Sequence, residues 1–487
     1  MKILIIGLDC AAPQRLFGDE RLVNIRRLMD GGCYGRLESV IPPITIPAWM
    51  CMSTSQDPGS LGVYGFRNRG DTSYEKLTIV NSKSIRTTAM WDYLAMEGRK
   101  SVIIGVPPSY PPRKVNGICV GCFLVPDTKA DEYTHPPHIK QEIERLVGEY
   151  PVDVKGFRTD QKDWLKEQIW EMTAKHFEVV RHYLRHAEWD YFHFVEIGLD
   201  RVHHGFWSYC DPQHPDYVQG NKYESVLDDY YLMLDREIGG VLEQLTDDTV
   251  VLVVSDHGAE PLFGGFCVNE WLIREGLLVL EEYPKNVTPF GKLKVNWSKT
   301  KVWSEGGYYA RVFLNIEGRE PQGVIPKADV MRFRDELKAK LEATTDPDGK
   351  PLGTLVFKPE ETYRSVKNVP PDLIVHFGAL SWRSIGGVGY NKIHVKENDT
   401  GPDDCNHAQH GAFILAAPNN PLRGEVEGAR LLDVAPTLFE LAGYEIPEAF
   451  QGRSIVSGAG GARPDTSIPA DREEIIRQRL SGLGYIS

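Results

Sequence analysis

Short apolar runs rich in Val and Ile alternate with longer amphipathic stretches along this chain. Such a rhythm is typical of a mostly parallel β-sheet that is covered by helices on both faces. The apolar runs predict strands at Ile3–Gly7, Ser101–Val106, Gly117–Leu124, Tyr191–Ile197, Val250–Val254, Asp372–Phe377 and Ala412–Ala416. The amphipathic stretches predict helices at Arg21–Asp30, Thr87–Glu97, Ile139–Gly148, Asp163–Arg185, Glu224–Gln244, Val330–Ala343 and Leu432–Ala442. We therefore expect an α/β fold.

One region departs from this rhythm, between about residues 281 and 379. It contains polar, strand-like pieces such as Tyr309–Ile316 and a strongly charged helical stretch around Arg332–Glu342. We expect residues 281–379 to form a smaller lobe, inserted into a catalytic domain that spans residues 1–456.

The remaining residues form a tail of different composition. Residues 457–470 begin with a Gly-rich run that ends in Pro464, which indicates a flexible linker because Gly resists ordering and Pro blocks a helix. Asp471 can then cap a helix, and Glu474 can reach back to the cap. We predict an amphipathic helix over residues 471–487, which docks either on its own domain or on a neighbouring subunit of a homo-oligomer.

The charge of the chain limits its partners. Its 487 residues include 55 Lys and Arg against 68 Asp and Glu, for a formal net charge of -13. Such a surface repels polyanions, so duplex nucleic acid is excluded as an expected partner. Small phosphorylated substrates remain compatible, because bound divalent metals reverse the local potential inside a pocket.

Hydropathy and cysteine usage point to a cytoplasmic enzyme. No apolar run approaches the roughly 20 residues needed to cross a bilayer, so we expect no membrane span. The first apolar run is too short for a signal peptide and ends in an acid. Eight Cys are scattered, with one close pair at Cys119 and Cys122 in a strand-like run, and we expect reduced structural thiols.

Acids and histidines follow several of the predicted strands. Asp9 follows the first strand, and Asp256 with His257 follows the fifth. Ligand sites of open α/β sheets gather just beyond the carboxyl ends of strands. Asp200 and His204 lie four residues apart, a spacing that places both side chains on one face of a helical turn, able to hold one metal. Each pair alone also fits an ordinary polar turn, whereas a lone buried acid such as Asp9 is costly unless it is paired or bound to metal.

The candidate nucleophile is Thr45. Pro43 and Pro47 flank it in a proline-rich turn and stiffen the backbone, which would hold the hydroxyl in a fixed direction. A Thr in such a turn is ordinarily structural, so its significance depends on the residues that accompany it along the chain.

The order of these residues resembles the metal-ligand series of the alkaline phosphatase superfamily. The most similar branch is the type I phosphodiesterase and nucleotide pyrophosphatase group, and the resemblance covers nearly the whole chain. It implies an alkaline-phosphatase-like sandwich with a mostly parallel central sheet. The series in this chain is Asp9, Thr45 within Thr-x-Pro, Asp200, His204, Asp256, His257 and His407.

The resemblance implies two divalent metal sites, with zinc expected first and manganese or iron as alternatives. One site would use Asp200, His204 and His407. The other would use Asp9, Asp256, His257 and the Thr45 hydroxyl. His410 is a second candidate near His407, but similar proteins place the ligand four residues before the glycine that here is Gly411.

The implied reaction is hydrolysis of a phosphate ester through a phospho-Thr45 intermediate. We expect a phosphodiester or pyrophosphate bond of a small molecule such as a nucleotide. Three residues downstream of the nucleophile, Arg67, Asn68 and Arg69, are candidates for binding phosphate oxygens or the leaving group, although a solvated turn fits them equally well.

Other functions remain open at this stage. A phosphomonoesterase or a phosphomutase of the same superfamily would share the metal ligands, whereas a sulfatase would resemble Cys-x-Pro-x-Arg at the nucleophile. A non-catalytic binding scaffold with this fold is the alternative from another class, but degenerate relatives should lose some of the ligands, and none is missing here.

Overall fold

The computed structural model describes residues 1–396, 398–458 and 460. Its strands are β1 (Lys2–Leu8), β2 (Cys33–Glu38), β3 (Arg67–Arg69), β4 (Leu77–Ile79), β5 (Ser101–Ile104), β6 (Gly117–Val120), β7 (Thr134–His135), β8 (Tyr191–Glu196), β9 (Thr249–Val254), β10 (Gly258–Pro261), β11 (Gly264–Cys267), β12 (Val302–Glu305), β13 (Ala310–Leu314), β14 (Leu355–Phe357), β15 (Leu373–His376), β16 (Trp382–Ile385), β17 (His394–Val395), β18 (Cys405–Ala408), β19 (His410–Ala416), β20 (Gly424–Glu425) and β21 (Ala429–Arg430).

Helices lie between these strands. They are α1 (Pro13–Gly18), α2 (Val23–Gly31), α3 (Thr45–Thr54), α4 (Pro58–Leu61), α5 (Met90–Met96), α6 (His138–Val147), α7 (Lys162–His186), α8 (Gly198–Cys210), α9 (Val226–Leu242), α10 (Val268–Arg274), α11 (Val330–Glu342), α12 (Pro359–Thr362) and α13 (Val434–Ala442). Every strand and helix that the sequence predicts before residue 457 has a counterpart here, with boundaries that differ by a few residues.

A ten-stranded sheet forms the centre of the molecule. Its order is β20–β2–β19–β9–β1–β8–β5–β6–β7, with β21 beside β2. The pairs β9–β1, β1–β8, β8–β5 and β5–β6 are parallel. Strand β19 runs antiparallel to both of its neighbours, and β7 runs antiparallel to β6. This confirms the α/β fold with a mostly parallel central sheet.

Both faces of the sheet are buried, because successive side chains of a strand point to opposite sides. On β1, Leu4 and Ile6 belong to a core that includes residues of α2, α7, α8 and α9. Ile3 and Ile5 belong to a second core, together with residues of α3, α5 and α13. The near-continuous apolar strands therefore reflect burial between two layers of helices.

The predicted lobe has a hydrophobic core of its own. Buried side chains from Phe266 to Phe377 form this core, which extends slightly before the predicted start at residue 281. An antiparallel sheet in the order β12–β13–β15–β14 contributes to it, together with α10 and α11. A smaller sheet has the order β16–β11–β17. Its strand β11 precedes the predicted lobe in the sequence, and β16 and β17 follow it.

One local prediction is wrong, because Thr45 does not lie in a turn. It is the first residue of α3, and Pro47 sits in the first turn of that helix. Proline is tolerated there because the first amide groups of a helix have no acceptor within it. The prolines that suggested a turn are therefore compatible with a helix start.

The tail predictions cannot be compared with the structure. Most of the predicted linker over residues 457–470 and all of the predicted helix over residues 471–487 lie outside the described residues. Among the helices of the described part, none is both long and apolar enough to cross a membrane. The eight cysteines are all buried and none is in a disulfide.

Candidate metal centre

The predicted site residues converge at the carboxyl ends of three neighbouring strands. Asp9 directly follows β1, and Asp256 and His257 follow β9, which pairs in parallel with β1. On the other side of β1, strand β8 leads into α8, whose first turn carries Asp200. His407 reaches the same place from β18, where it lies opposite Ala259 of β10.

Asp200, His204 and His407 form the first cluster. Their ligand atoms all lie within 4.8 Å of one another. Asp200 Oδ1 is 3.2 Å from His204 Nε2 and 3.6 Å from His407 Nε2. All three side chains are buried. One carboxylate and two imidazoles at this spacing can hold one divalent cation. His410, by contrast, begins β19 opposite Glu38 and is not part of this cluster.

Asp9, Asp256 and His257 form the second cluster, which is likewise buried and likewise confined within 4.8 Å. His257 Nε2 lies 3.3 Å from Asp256 Oδ2 and 3.7 Å from Asp9 Oδ1. Thr45 Oγ1 is 3.4 Å from the same nitrogen. The rings of His257 and His407 stack with centroids 3.8 Å apart, so the two clusters are adjacent.

Neighbouring groups hold one side of each ligand and leave the other side free. Trp49 Nε1 donates to Asp9 Oδ2 at 2.7 Å, the Cys10 amide donates to Asp256 Oδ1 at 3.4 Å, and Arg201 pairs with Asp200 Oδ2. Four buried atoms that face the centre have no well-aligned hydrogen-bond partner among the described residues. These atoms are Asp9 Oδ1, Asp200 Oδ1, His204 Nε2 and Asp256 Oδ2.

Orphaned buried polar atoms are rare in folded proteins, because each costs the free energy of its lost hydration. Here all four belong to the residues that the sequence singled out as ligands, and they are carboxylate oxygens and an imidazole nitrogen. Divalent cations accept this donor set. The residues present therefore fit a pair of metal ions.

The electrostatics of the second cluster favour a bound cation. Burial raises the pKa of Asp9 well above its usual value, and the charge of Asp200 adds to this effect. Burial and the nearby charge of Asp9 raise the pKa of Asp256 in the same way. A dication among these acids would offset the repulsion and stabilise both carboxylates in the ionised form.

The imidazoles next to these acids are held in the form that binds metal. Burial lowers the pKa of His257 well below its usual value. Burial also lowers the pKa of His407. Both rings are therefore neutral near pH 7, and a neutral imidazole has a free lone pair for a cation.

A cavity opens beside the two clusters, and Thr45 is one of the residues that line it. Its wall combines metal-facing residues with aromatic and aliphatic side chains and one arginine. The lining residues are Thr45, Phe66, Phe123, Ile197, Asp200, Arg201, Tyr308 and His407. Tyr308 comes from the lobe and stacks on His407 with ring centroids 4.3 Å apart. The lobe thus supplies one wall of the candidate active site.

The family model described as type I phosphodiesterase / nucleotide pyrophosphatase matches residues 3–411. That range includes all seven predicted ligands and most of the described chain. The chain belongs to this family. Membership supports a phosphohydrolase of the phosphodiesterase or pyrophosphatase type. A comparison with curated proteins found no match.

Several solved structures have a fold that is similar to the fold of this chain. Phosphonoacetate hydrolase from Sinorhizobium meliloti 1021, in complex with phosphonoformate, is 17% identical with a TM-score of 0.58, over 91% of this chain and 95% of that one. Murine ectonucleotide pyrophosphatase / phosphodiesterase 5 is 13% identical with a TM-score of 0.53, over 92% and 96%. An inactive threonine-to-alanine variant of the murine protein was solved in complex with AMP, with a TM-score of 0.52 and 13% identity over the same shares of the two chains. At these identities the likeness shows the fold alone.

In this phosphodiesterase-family protein, the three residues predicted as phosphate contacts have other partners. Asn68 is buried and bonds the main chain of Tyr64 and Gly62. Arg69 is buried in an ion pair with Glu320 of the lobe. Arg67 is half exposed, lies 3.4 Å from Glu305, and is not among the described residues that line the cavity. These contacts join β3 to the loop after α4 and to the lobe, so we no longer propose a substrate contact for Asn68 or Arg69.

Arg201 is a cavity residue that the sequence reasoning missed. It follows Asp200 directly, and its guanidinium pairs with Asp200 and, through two bonds of 2.7 and 2.9 Å, with Asp153. Position next to a predicted ligand was the one available signal for it. Tyr308 carried no such signal, because its contact with His407 joins distant parts of the chain.

Proposed function

We propose that this protein is a two-metal hydrolase of phosphate esters that cleaves phosphodiester or pyrophosphate bonds of a small molecule such as a nucleotide. The observation that carries the proposal is the position of Thr45. Thr45 lines the cavity, and its hydroxyl oxygen lies 3.4 Å from His257 Nε2, beside two buried ligand clusters whose unpartnered atoms fit cations. If cations bound at the two clusters activate this hydroxyl, the reaction needs no side chain as a general base.

Thr45 acts as the nucleophile in this proposal. Its oxygen forms a bond to phosphorus as the bond between phosphorus and the leaving oxygen breaks, and the hydroxyl proton passes to solvent. Water then attacks the phosphorus of phospho-Thr45 and restores the hydroxyl. Thr45 is the first residue of α3, and the amino end of a helix stabilises the negative charge of a phosphoryl group held there.

The two clusters would hold the cations that this reaction requires. Asp200, His204 and His407 would hold one ion, while Asp9, Asp256, His257 and Thr45 would hold the other. Two divalent ions, when bound, would lower the pKa of the threonine hydroxyl and neutralise charge on the attacking and leaving oxygens. Mixed carboxylate and imidazole ligands suit zinc, which we propose first, and also manganese or iron.

The substrate class rests on family membership and on the cavity. The family description names phosphodiesterase and nucleotide pyrophosphatase, and a protein of similar fold was solved with AMP. Phe66, Phe123 and Tyr308 give the cavity an apolar wall beside the ligands, which suits a substrate whose second ester group is organic.

A substrate comparison on the purified full chain tests the proposal. We expect a higher kcat/KM for bis(nitrophenyl) phosphate and nucleotide diesters than for nitrophenyl phosphate, in the presence of zinc or manganese. A large preference for the monoester would overturn the diester proposal in favour of a phosphomonoesterase. If the protein turns over no phosphate ester, including sugar phosphates and lipid head groups, the non-catalytic binding scaffold would be the remaining interpretation.

Variants at the nucleophile provide the matched control. Thr45→Ala should lower kcat by about a thousandfold or more, since removal of a nucleophile abolishes the covalent route. Thr45→Ser keeps a hydroxyl and should retain measurable turnover. Mass spectrometry of acid-quenched enzyme should find a covalent adduct on residue 45 in the parent and in Thr45→Ser. With a diester substrate this adduct is a phosphoryl group that still carries the second ester group. Unchanged turnover in Thr45→Ala would exclude the phospho-Thr45 route.

A further inference from the structure

Asp403 is a buried carboxylate that lies behind the first cluster and that the predicted ligand set does not contain. Its Oδ1 lies 2.6 Å from His204 Nδ1, and neither side chain is exposed to solvent. His204 Nε2, on the opposite side of the ring, faces Asp200 Oδ1 at 3.2 Å and has no well-aligned hydrogen-bond partner in the part of the chain that the structure describes. The two nitrogens of this imidazole therefore have distinct surroundings.

This arrangement determines which nitrogen of His204 carries the proton. An ionised carboxylate only accepts hydrogen bonds, so a contact of 2.6 Å requires a proton on Nδ1. In a neutral imidazole, a proton on Nδ1 leaves the lone pair on Nε2. Asp403 thus presents the metal-binding nitrogen of His204 to the centre and also fixes the angle of the ring.

Two arginines hold Asp403 itself in place. Its Oδ2 accepts from Arg158 Nε at 3.0 Å and from Arg383 Nη1 at 3.2 Å. Both guanidiniums also contact Tyr308, the residue of the lobe that lines the cavity; Arg383 lies 4.8 Å from its ring centroid, and Arg158 bonds its hydroxyl. The carboxylate is therefore ionised and immobilised from two sides, and it connects a wall of the cavity to a metal-facing histidine.

We propose that Asp403 is a positioning residue for the metal centre: it holds His204 in the tautomer and orientation that bind a divalent cation through Nε2. The proposal rests on the proposed function only in taking His204 as a metal ligand. Carboxylates behind histidine ligands typically change metal affinity by about 10–100-fold when they are removed.

Zinc affinity, measured without substrate, tests this role. The measurement uses competition with a chromophoric chelator in an Asp9→Asn background, which weakens the second cluster so that the first dominates. Asp403→Asn should weaken zinc binding by about 10–100-fold. Asp404→Asn is the matched control, because the Asp404 side chain is also largely buried but accepts a hydrogen bond from Ser208 at 2.7 Å and bonds no predicted ligand. The main-chain amide of Asp404 donates to the His204 carbonyl, and the substitution keeps that bond. We expect the affinity of Asp404→Asn to stay close to that of the parent.

A further variant separates positioning from general damage to the network. Arg383→Gln removes one of the two arginines that hold Asp403 but keeps Arg158 and the bond between Asp403 and His204, so zinc affinity should fall by clearly less than in Asp403→Asn. If Asp403→Asn alone does not fold, the pair Asp403→Asn with Arg383→Gln removes one charge of each sign and should show the same loss of affinity.

The outcomes distinguish this inference from the proposed function. Equal zinc affinity in the parent and in Asp403→Asn would overturn the role of Asp403, and so would an equal loss in Arg383→Gln or Asp404→Asn. Absence of zinc binding in the parent would instead overturn the metal centre itself. As a spectroscopic check, cobalt in the first cluster should show a visible spectrum that changes in Asp403→Asn and stays unchanged in Asp404→Asn.

Discussion

Two residues on the same face of α3 connect the nucleophile candidate to a predicted ligand. Thr45 and Trp49 lie four residues apart, and Trp49 donates its indole N–H to Asp9. Gly7 leaves room for the indole, because a Cβ at this position would lie 2.6 Å from Trp49 Cη2. One helical turn therefore fixes both the direction of the hydroxyl and the orientation of the acid.

Trp49→Phe should destabilise the protein although it preserves most of the apolar bulk. The substitution leaves a buried carboxylate oxygen without its donor, which costs about 1–3 kcal/mol. Chemical unfolding monitored by circular dichroism measures the change. Trp91→Phe is the control, because the buried Trp91 N–H has no partner among the described residues. Equal losses in the two variants would contradict the role of the Trp49 bond.

Among individual residues, the sequence predicted the candidate metal ligands better than the residues that orient them. Asp9, Asp256 and His257 follow apolar strands, so their positions indicate a shared edge of the sheet. Nothing local marks Asp403, because its bond to His204 joins residues 199 positions apart. Such long-range contacts depend on how loops fold back over the sheet, which residue patterns do not encode.

The junction of β8 and α8 positions the first cluster. Glu196, the last residue of β8, is fully buried and accepts from the Gly198 amide at 2.8 Å, at the start of α8. His176 of α7 donates to its other oxygen at 2.9 Å. Thr173, also of α7, donates to Glu196 at 3.1 Å. One carboxylate thus ties a strand and two helices together, one turn before Asp200.

The His176–Glu196 pair predicts a pH dependence of stability. Burial opposes protonation of His176, but Glu196 outweighs it through its charge and hydrogen bond and raises the pKa of His176 above its usual value. The unfolded-state pKa of a histidine is about 6.5, and the pair stabilises the folded protein fully below that pH. This contribution is lost as pH rises through the higher pKa of the folded state.

The stability difference between the parent and His176→Gln should therefore be largest at low pH and shrink toward alkaline pH. Urea unfolding at a series of pH values measures it, and the subtraction removes the titration of other groups. A difference that stays constant, or that grows with pH, would contradict this account of the pair.

Long apolar and amphipathic elements were predictable from the sequence, and irregular ones were not. The central strands are near-continuous apolar runs, and the long helices α7 and α9 are amphipathic over several turns, so the sequence predicts both from the pattern of buried positions. Helix α3 was missed because its prolines suggested a turn, and β2 was missed because its short sequence, CYGRLE, mixes polar and apolar residues beside an antiparallel neighbour.

At the scale of the whole molecule, the lobe packs directly against the segment that leads into the nucleophile. A small apolar cluster joins Ile44, immediately before Thr45, to side chains of the lobe. Its buried members are Ile44, Tyr64, Tyr309, Tyr363, Ile374 and Leu380. Tyr363 also donates its hydroxyl to the Ile41 carbonyl at 2.6 Å. The position of Thr45 therefore depends on the lobe as well as on α3.

Ile374→Ala should affect both stability and catalysis. The cavity left in a fully buried cluster should lower the free energy of unfolding by about 2–5 kcal/mol. Because the cavity borders Ile44, kcat should also fall while zinc affinity is kept. Leu341→Ala, in the separate core of the lobe, should lower stability by a similar amount and leave kcat unchanged. Equal kcat in the two variants would contradict the coupling.

The central claim is that six acids and histidines hold two cations beside Thr45, and anomalous diffraction tests it most directly. Crystals grown with zinc, measured on both sides of its absorption edge, should show two peaks about 4 Å apart. One peak should lie among Asp200, His204 and His407, and the other among Asp9, Asp256 and His257. A single peak, or peaks bound elsewhere on the protein, would contradict the two-metal centre.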